Sequence, residues 1–326
     1  MIKIATIGTS DVCKQFVNAA KKNVALKIAC VYSRNLQKAK DFIAECEIKT
    51  AKAVDKFDVL VDEIDAVYIA SPNGLHYEQA KYFLLQQKHV FVEKPLTLSF
   101  NEAIELSQIA SKNNVILMEA MKTIHLPQYK QLSDWVQNNN PFIANLSFNQ
   151  YSSRMKDIKK GIYESVFDIN LGKGSTYDTL IYPVELAISL FGPVKEVKAM
   201  AHFLPNNVAL NNSVILKHQN DTLVNITNSK ASYGKIGSEF LSDEETLVFE
   251  GLTRISKIFI SQGNGELKKV FVADQKQEAF DYEIQTFVEM VLNQEFDLRD
   301  YLLELSIESI RVLNMIEKNQ ERIGEN

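Results

Sequence analysis

At 326 residues the chain is long enough for two cores, and a single compact core of that size would be unusual. With 46% hydrophobic and 24% charged residues, and only 12 Gly and 7 Pro, it is not a disordered, collagenous or coiled-coil chain. Thirty-six basic against 41 acidic side chains leave a net charge of −5, so no nucleic-acid partner is expected, and no apolar run is long enough to span a membrane.

Met1 leads directly into a strand-like IKIATIG (2–8), which leaves no room for a signal peptide. A helix-like DVCKQFVNAAKK follows, then ALKIACVYS (25–33) and NLQKAKDFIAE. Next come DAVYIAS (65–71) with HYEQAKYFLLQQ, HVFVE (89–93) with SFNEAIELSQIASK, and VILMEA (115–120). Runs nearly free of polar residues, alternating with amphipathic helices, predict a doubly wound parallel sheet over residues 1–121.

Beyond residue 121 the rhythm changes. IANLSFNQY, VKEVKAMAHFL, NSVILKHQ, DTLVNITNS, EETLVFEG, RISKIFISQ and ELKKVFVAD are strand-like, several of them alternating. Gln219-Asn220-Asp221 and Gly263-Asn264-Gly265 are the turns of antiparallel hairpins. Amphipathic helices near 278–293 and 299–318 close the chain. Residues 122–326 are therefore expected to form an α+β domain with one large, mostly antiparallel open sheet.

Cys13, Cys30 and Cys46 form no CxxC pair and read as small buried residues in a reducing cytoplasm. His76, His89, His125, His202 and His218 show no metal spacing, so no metal is expected.

The first strand ends in Gly8-Thr9-Ser10-Asp11-Val12-Cys13, where a dinucleotide loop has G-x-G-x-x-G. Gly8 makes the tight turn, Ser10 and Cys13 are small replacements for the other two glycines, and Ser10 could equally be a helix N-cap. After the second strand, Ser33-Arg34 stands where an acid would hold the ribose of NAD. A hydroxyl beside a guanidinium suits a 2′-phosphate, which favours NADP over NAD; the plain alternative is a surface arginine.

Two other strand ends carry unusual residues: Ser71-Pro72-Asn73 with His76, and Glu93-Lys94-Pro95. Lys94 could simply be a solvated loop lysine paired with Glu93. In the segment Gly172 to Pro183, Asp178 and Tyr182 lie four apart and are expected on one helical face. By themselves they read equally as a capping-box acid, in Ser175-x-x-Asp178, and a core aromatic.

These elements, in this order and spacing, resemble the glucose–fructose oxidoreductase / inositol dehydrogenase / rhizopine-catabolism (Gfo/Idh/MocA) family over essentially the whole chain. The stretches SRNLQKAKDFIAE, LMEAMKTIHLPQ and ISLFGP are similar to its dihydrodiol and xylose dehydrogenase branch. The resemblance implies a Rossmann domain and a C-terminal sheet that commonly mediates dimerisation, hence a homodimer or higher oligomer. It implies an NAD(P)-dependent dehydrogenase or reductase passing a hydride between nicotinamide C4 and a hydroxyl or carbonyl carbon of a small sugar, polyol or diol. Lys94 becomes the catalytic lysine, Asp178 the orienting acid and Tyr182 the proton donor or acceptor. Gly8, Thr9, Ser10, Val12, Ser33, Arg34, Ser71, Pro72, Asn73, His76, Glu93 and Lys94 become the cofactor-binding set. The chain departs from the family in lacking two loop glycines, in Lys173 within a glycine run, and in Leu180 where glycine is usual. A second reading is a cofactor-binding regulator or sensor that has lost catalysis, as some family members have. Arg154 and Lys156 read as solvated charges or as ligands for substrate hydroxyls.

Overall fold

The computed structural model describes residues 1–272 and 278–322. In chain order the elements of the first third are β1 (Ile2–Ile7), α1 (Asp11–Ala20), β2 (Leu26–Tyr32), α2 (Leu36–Glu45), β3 (Lys52–Val54), α3 (Asp58–Val61), β4 (Ala66–Ile69), α4 (His76–Leu85), β5 (His89–Glu93), α5 (Phe100–Lys112) and β6 (Leu117–Ala120). They are followed by α6 (Lys122–His125), α7 (Pro127–Asn139), β7 (Ile143–Asn149), α8 (Met155–Ile158), α9 (Ser175–Asp178) and α10 (Ile181–Phe191). Then come β8 (Val194–Phe203), β9 (Ala209–His218), β10 (Leu223–Ser229), β11 (Ser238–Leu241), β12 (Glu245–Glu250), β13 (Lys257–Gln262) and β14 (Lys268–Val272). The chain closes with α11 (Ala279–Asn293), α12 (Phe296–Asn319) and β15 (Gln320–Arg322).

Packing divides the chain into two compact units, one of Met1–Met121 with Glu278–Ile307 and one of Lys122–Gln277 with Glu308–Asn326. In the first, six parallel strands lie in the order β3-β2-β1-β4-β5-β6. This is the doubly wound Rossmann order, which reverses between β1 and β4 and opens a crevice at their carboxyl ends. Strands β4 and β6 are buried at every position, as strands covered on both faces must be.

The sequence reading gave all of 122–326 to the second domain, and here the structure differs. Residues 278–307 pack with the first unit: Phe287 stacks on Phe91 with centroids 5.0 Å apart, Lys22 pairs with Asp281 at 3.0 Å, and Arg299 donates to the Val115 carbonyl at 3.0 Å. An amphipathic pattern marks a helix face for burial but does not say which core receives it.

The second unit holds a nine-stranded sheet in the order β14-β13-β12-β11-β7-β10-β9-β8-β15. It is antiparallel except where β7 meets β10 and β8 meets β15. The two expected turns at 219–221 and 263–265 join the antiparallel pairs β9–β10 and β13–β14. Residues 273–274, at the end of the last predicted strand, lie outside the described residues. Among the described residues no helix is long and apolar enough to cross a membrane.

Candidate active site

The crevice of the parallel sheet is built on one glycine. Gly8 follows β1 at φ +121°, and a Cβ there would sit 2.9 Å from the Ala70 carbonyl oxygen just beyond β4. Only glycine lets the two strand ends come so close and keeps the cradle open. Ser10 occupies the N-cap position of α1, but its hydroxyl makes no capping bond and donates instead to the Cys13 sulfur at 3.6 Å. The first-turn amides of α1 thus have no side-chain cap, the usual condition of a helix N-terminus that receives phosphate. Cys13 is wholly buried, and burial pushes its thiol up to about 11, so it packs as a small neutral group. Thr9 and Val12 are half-buried beside it.

At the end of β2, Ser33 donates its backbone N–H to Val54 O at 3.1 Å, and its hydroxyl accepts from the Asn35 N–H at 3.3 Å. Asn35 caps α2 by accepting from the Gln37 and Lys38 amides, leaving Arg34 exposed between strand and helix. The Ser33 proton and the Arg34 guanidinium remain for an anion, and no acid stands beside them in the sequence. The residues present fit a phosphorylated dinucleotide.

Beyond β4 and β5, two loops are tied together by His76. Its Nδ1 lies 2.8 Å from the Pro95 carbonyl oxygen and its Nε2 2.9 Å from that of Ser71. The ring is fully buried. Burial is the largest influence on its pKa and carries it below the ordinary value against the pull of the two carbonyls, with the Lys94 charge adding to the fall. His76 is expected among the ligand contacts, but both nitrogens face backbone carbonyl oxygens, to one of which the neutral ring donates, and the side chain has no exposed surface. It sets the spacing between Ser71-Pro72-Asn73 and Glu93-Lys94-Pro95 instead.

The Ser71 hydroxyl donates to Gln79 at 2.8 Å, and Pro72 opens a 3-10 turn over Asn73–Leu75. Glu93 is buried and accepts from the Tyr68 hydroxyl at 2.5 Å. Tyr68 in turn stacks on Phe16 at 3.7 Å, and burial, then the Glu93 charge, hold its phenol well above the ordinary range. Lys94 is half-buried, and the Leu96 N–H beyond it donates to the buried Glu119 at 2.6 Å. Residues from the ends of β1, β2, β4 and β5 therefore share one edge of the sheet.

In the second unit a glycine pair admits α9. A Cβ on Gly174 would sit 2.3 Å from Ala209 O, and one on Gly172 2.3 Å from Val166 Cα. Lys173 between them is held at φ 55° while its ammonium reaches Glu317 at 2.9 Å. Gly174 is the N-cap of α9, so the Ser175-x-x-Asp178 capping box does not form. The Ser175 hydroxyl donates to Ala209 O at 3.0 Å, and the Asp178 carboxylate accepts from the ammonium of Lys230.

The single helical face expected for Asp178 and Tyr182 is also absent, because α9 ends at Asp178 and α10 starts at Ile181. Leu180 N–H bonds back five residues to Ser175 O at 2.9 Å, and Pro183 has no N–H to continue the earlier ladder. Tyr182 is half-buried, its ring edge-on to Phe148 at 5.3 Å, and Leu180 is wholly buried. Arg154 and Lys156 are exposed at α8.

Sequence reasoning missed Lys230. It lies 52 positions from its partner in what reads as a turn, and no local pattern marks it. It also missed the buried amide and hydroxyl network under α9. There Asn212 donates to Ser175 Oγ at 2.7 Å, and Thr179 Oγ1 donates to Asn228 Oδ1 at 3.2 Å.

Residues 2–121 match a family model described as an oxidoreductase family with an NAD-binding Rossmann fold, and residues 143–248 match a GFO/IDH/MocA C-terminal domain. A scyllo-inositol 2-dehydrogenase (NADP(+)) of Bacillus subtilis is 32% identical over 98% of this chain and 97% of its own. An uncharacterized oxidoreductase of Escherichia coli is 34% identical over 81% of each chain. Among solved structures, a 3-ketoreductase from Actinomadura kijaniata in complex with NADP and TDP-benzene superposes with a TM-score of 0.86. It is 22% identical and covers 99% of this chain and 98% of its own.

Proposed function

This chain belongs to the Gfo/Idh/MocA oxidoreductase family, and from that premise we propose that it is an NADP-dependent dehydrogenase or reductase of a small polyhydroxylated substrate. The observation that carries the reading is the Gly8 cradle at the β1–β4 reversal, with Ser33-Arg34 in place of an acid after β2. When bound, the nicotinamide gives or takes the hydride at C4.

Gly8, Thr9, Ser10 and Val12 hold the pyrophosphate on the α1 amides, and Ser33 and Arg34 hold the 2′-phosphate. Ser71, Pro72, Asn73 and Glu93 flank the nicotinamide half, kept at their spacing by His76. Tyr182 exchanges the proton of the substrate hydroxyl. Lys94, directly after β5, is assigned the part of the catalytic lysine. Asp178 orients the reacting group. The relatives that act on scyllo-inositol and on keto sugars support a sugar or polyol as substrate.

Steady-state turnover of the Lys94→Ala variant with scyllo-inositol and NADP is the test. General acid–base help is worth roughly 10² to 10⁴ in rate, and kcat should fall by that much while NADPH binding persists. Turnover near wild type would end the reading.

The exposed face of the nine-stranded sheet carries Met200, Ile215 and Leu223 on three neighbouring strands. An open sheet face with apolar residues suits a second copy of the chain. We place a homodimer there, and a sedimentation mass of one chain would refute it. The three cysteines are free and buried, which suits a reducing cytoplasm.

A further inference from the structure

We propose that Lys230 is a positioning residue for the reaction, its ammonium fixing the Asp178 carboxylate in place. The inference rests on the reading above for the role of Asp178, while the pair itself stands on geometry.

Lys230 is 6% exposed, and its Nζ donates to Asp178 Oδ2. The lysine backbone is held from both sides: its N–H donates to Leu210 O at 3.1 Å, and its carbonyl accepts from the Ser152 N–H at 2.8 Å. The Ser229 hydroxyl before it donates to Asn211 Oδ1 at 2.5 Å and accepts from the Ala231 N–H at 3.0 Å, so the chain turns sharply past the lysine.

On the other side, Asp178 closes α9 with its N–H on Gly174 O at 3.0 Å. The next residue, Thr179, reaches Asn228 Oδ1 at 3.2 Å, and Asn228 donates to Phe148 O at 2.8 Å. Two successive residues at the end of α9 are thus tied to β10 and to the residue just past it. The Asp178 carboxylate has a fixed position before any ligand arrives.

A buried ion pair is a poor device for stability, because desolvating both charges offsets most of their attraction. A lysine also loses rotamer freedom when it is held still. The arrangement makes sense for a carboxylate whose location and charge matter to chemistry.

Oxidation of scyllo-inositol with NADP by Lys230→Met, Lys230→Gln and Lys230→Arg tests this, with NADPH affinity measured in parallel by fluorescence titration. The two neutral variants should lose about 30-fold or more in kcat with NADPH Kd within about twofold of wild type, and the arginine variant, which keeps the charge, should recover most of the loss. Adding Lys230→Met to Asp178→Asn should cost nothing further, because the lysine acts only through the carboxylate. A soluble Lys230→Gln enzyme within about threefold of wild-type kcat would overturn the proposal, as would a double variant whose loss is the product of the two separate losses. Failure of the reaction reading itself would show separately, as wild-type turnover in Lys94→Ala.

Discussion

Strands β4 and β6 of the parallel sheet are buried at every position, while β8 and β10 of the second sheet alternate buried and exposed residues. A sheet covered on both faces has nothing to offer a ligand except its strand ends, and the candidate cofactor residues all sit there. The second sheet has one open face, and the candidate Asp178 lies at the end of α9, which is held against β9. The first unit places chemistry by backbone approach at a glycine, and the second by buried side-chain bonds around a short helix.

The largest effect expected from this contrast falls at the entry to α9. Gly174→Ala places a Cβ at 2.3 Å from Ala209 O in a left-handed backbone, whereas Gly192→Ala adds the same strain, at φ +81°, with nothing within 4 Å. Chemical denaturation should show a loss of about 3–5 kcal/mol for the first and about 1–3 kcal/mol for the second. Equal losses would mean that α9 is not held as tightly as drawn here.

A smaller effect sharpens the reading of the first unit. Arg34→Ala should weaken NADPH binding about tenfold and leave NADH binding unchanged, since only the 2′-phosphate meets the guanidinium. Isothermal titration with both dinucleotides measures the difference, and equal weakening of the two would remove Arg34 from the 2′-phosphate site.

A third effect concerns pH. Burial pushes the His125 imidazole in the second unit down to about 4, and its Nε2 has no hydrogen-bond partner among the described residues. The unfolded chain protonates near ~6.5, so this group's contribution to stability is complete above that pH and is lost as pH falls toward 4. His125→Leu should reduce the acid loss of stability between those limits by about 2 kcal/mol, read from urea unfolding at pH 4.5 and 7. His218 is shifted the same way by burial and should account for part of what remains. An unchanged acid limb would exclude His125 as a contributor.

Much of the parallel sheet was legible because strands buried on both faces leave an apolar signature that nothing else imitates. β3 escaped notice because it has three residues and begins with an exposed lysine, as short edge strands do. β11 is four residues long and carries no turn signal of its own. Gly8, Arg34 and Lys94 could be put forward as candidates because each stands just after a strand. The break between Asp178 and Tyr182 had one signal, Pro183, which lacks the N–H to continue a ladder; the rest of the interruption comes from the long bond to Ser175 and from the grip of Asn228, which no local pattern marks. Lys230 was invisible for the complementary reason that its meaning lies wholly in a distant partner.

The return of residues 278–307 to the first unit has a consequence for how the protein is made. A ribosome that has released the six strands of the parallel sheet has still to supply Phe287, Asp281 and Arg299, the partners of Phe91, Lys22 and the Val115 carbonyl. At roughly 5–20 residues per second, those partners follow the last strand by something like ten to forty seconds. Throughout that interval the nascent domain shows water the apolar flank that its latest-made helix will cover, and the larger segment of the second unit, 122–277, is synthesised while the first waits to be finished.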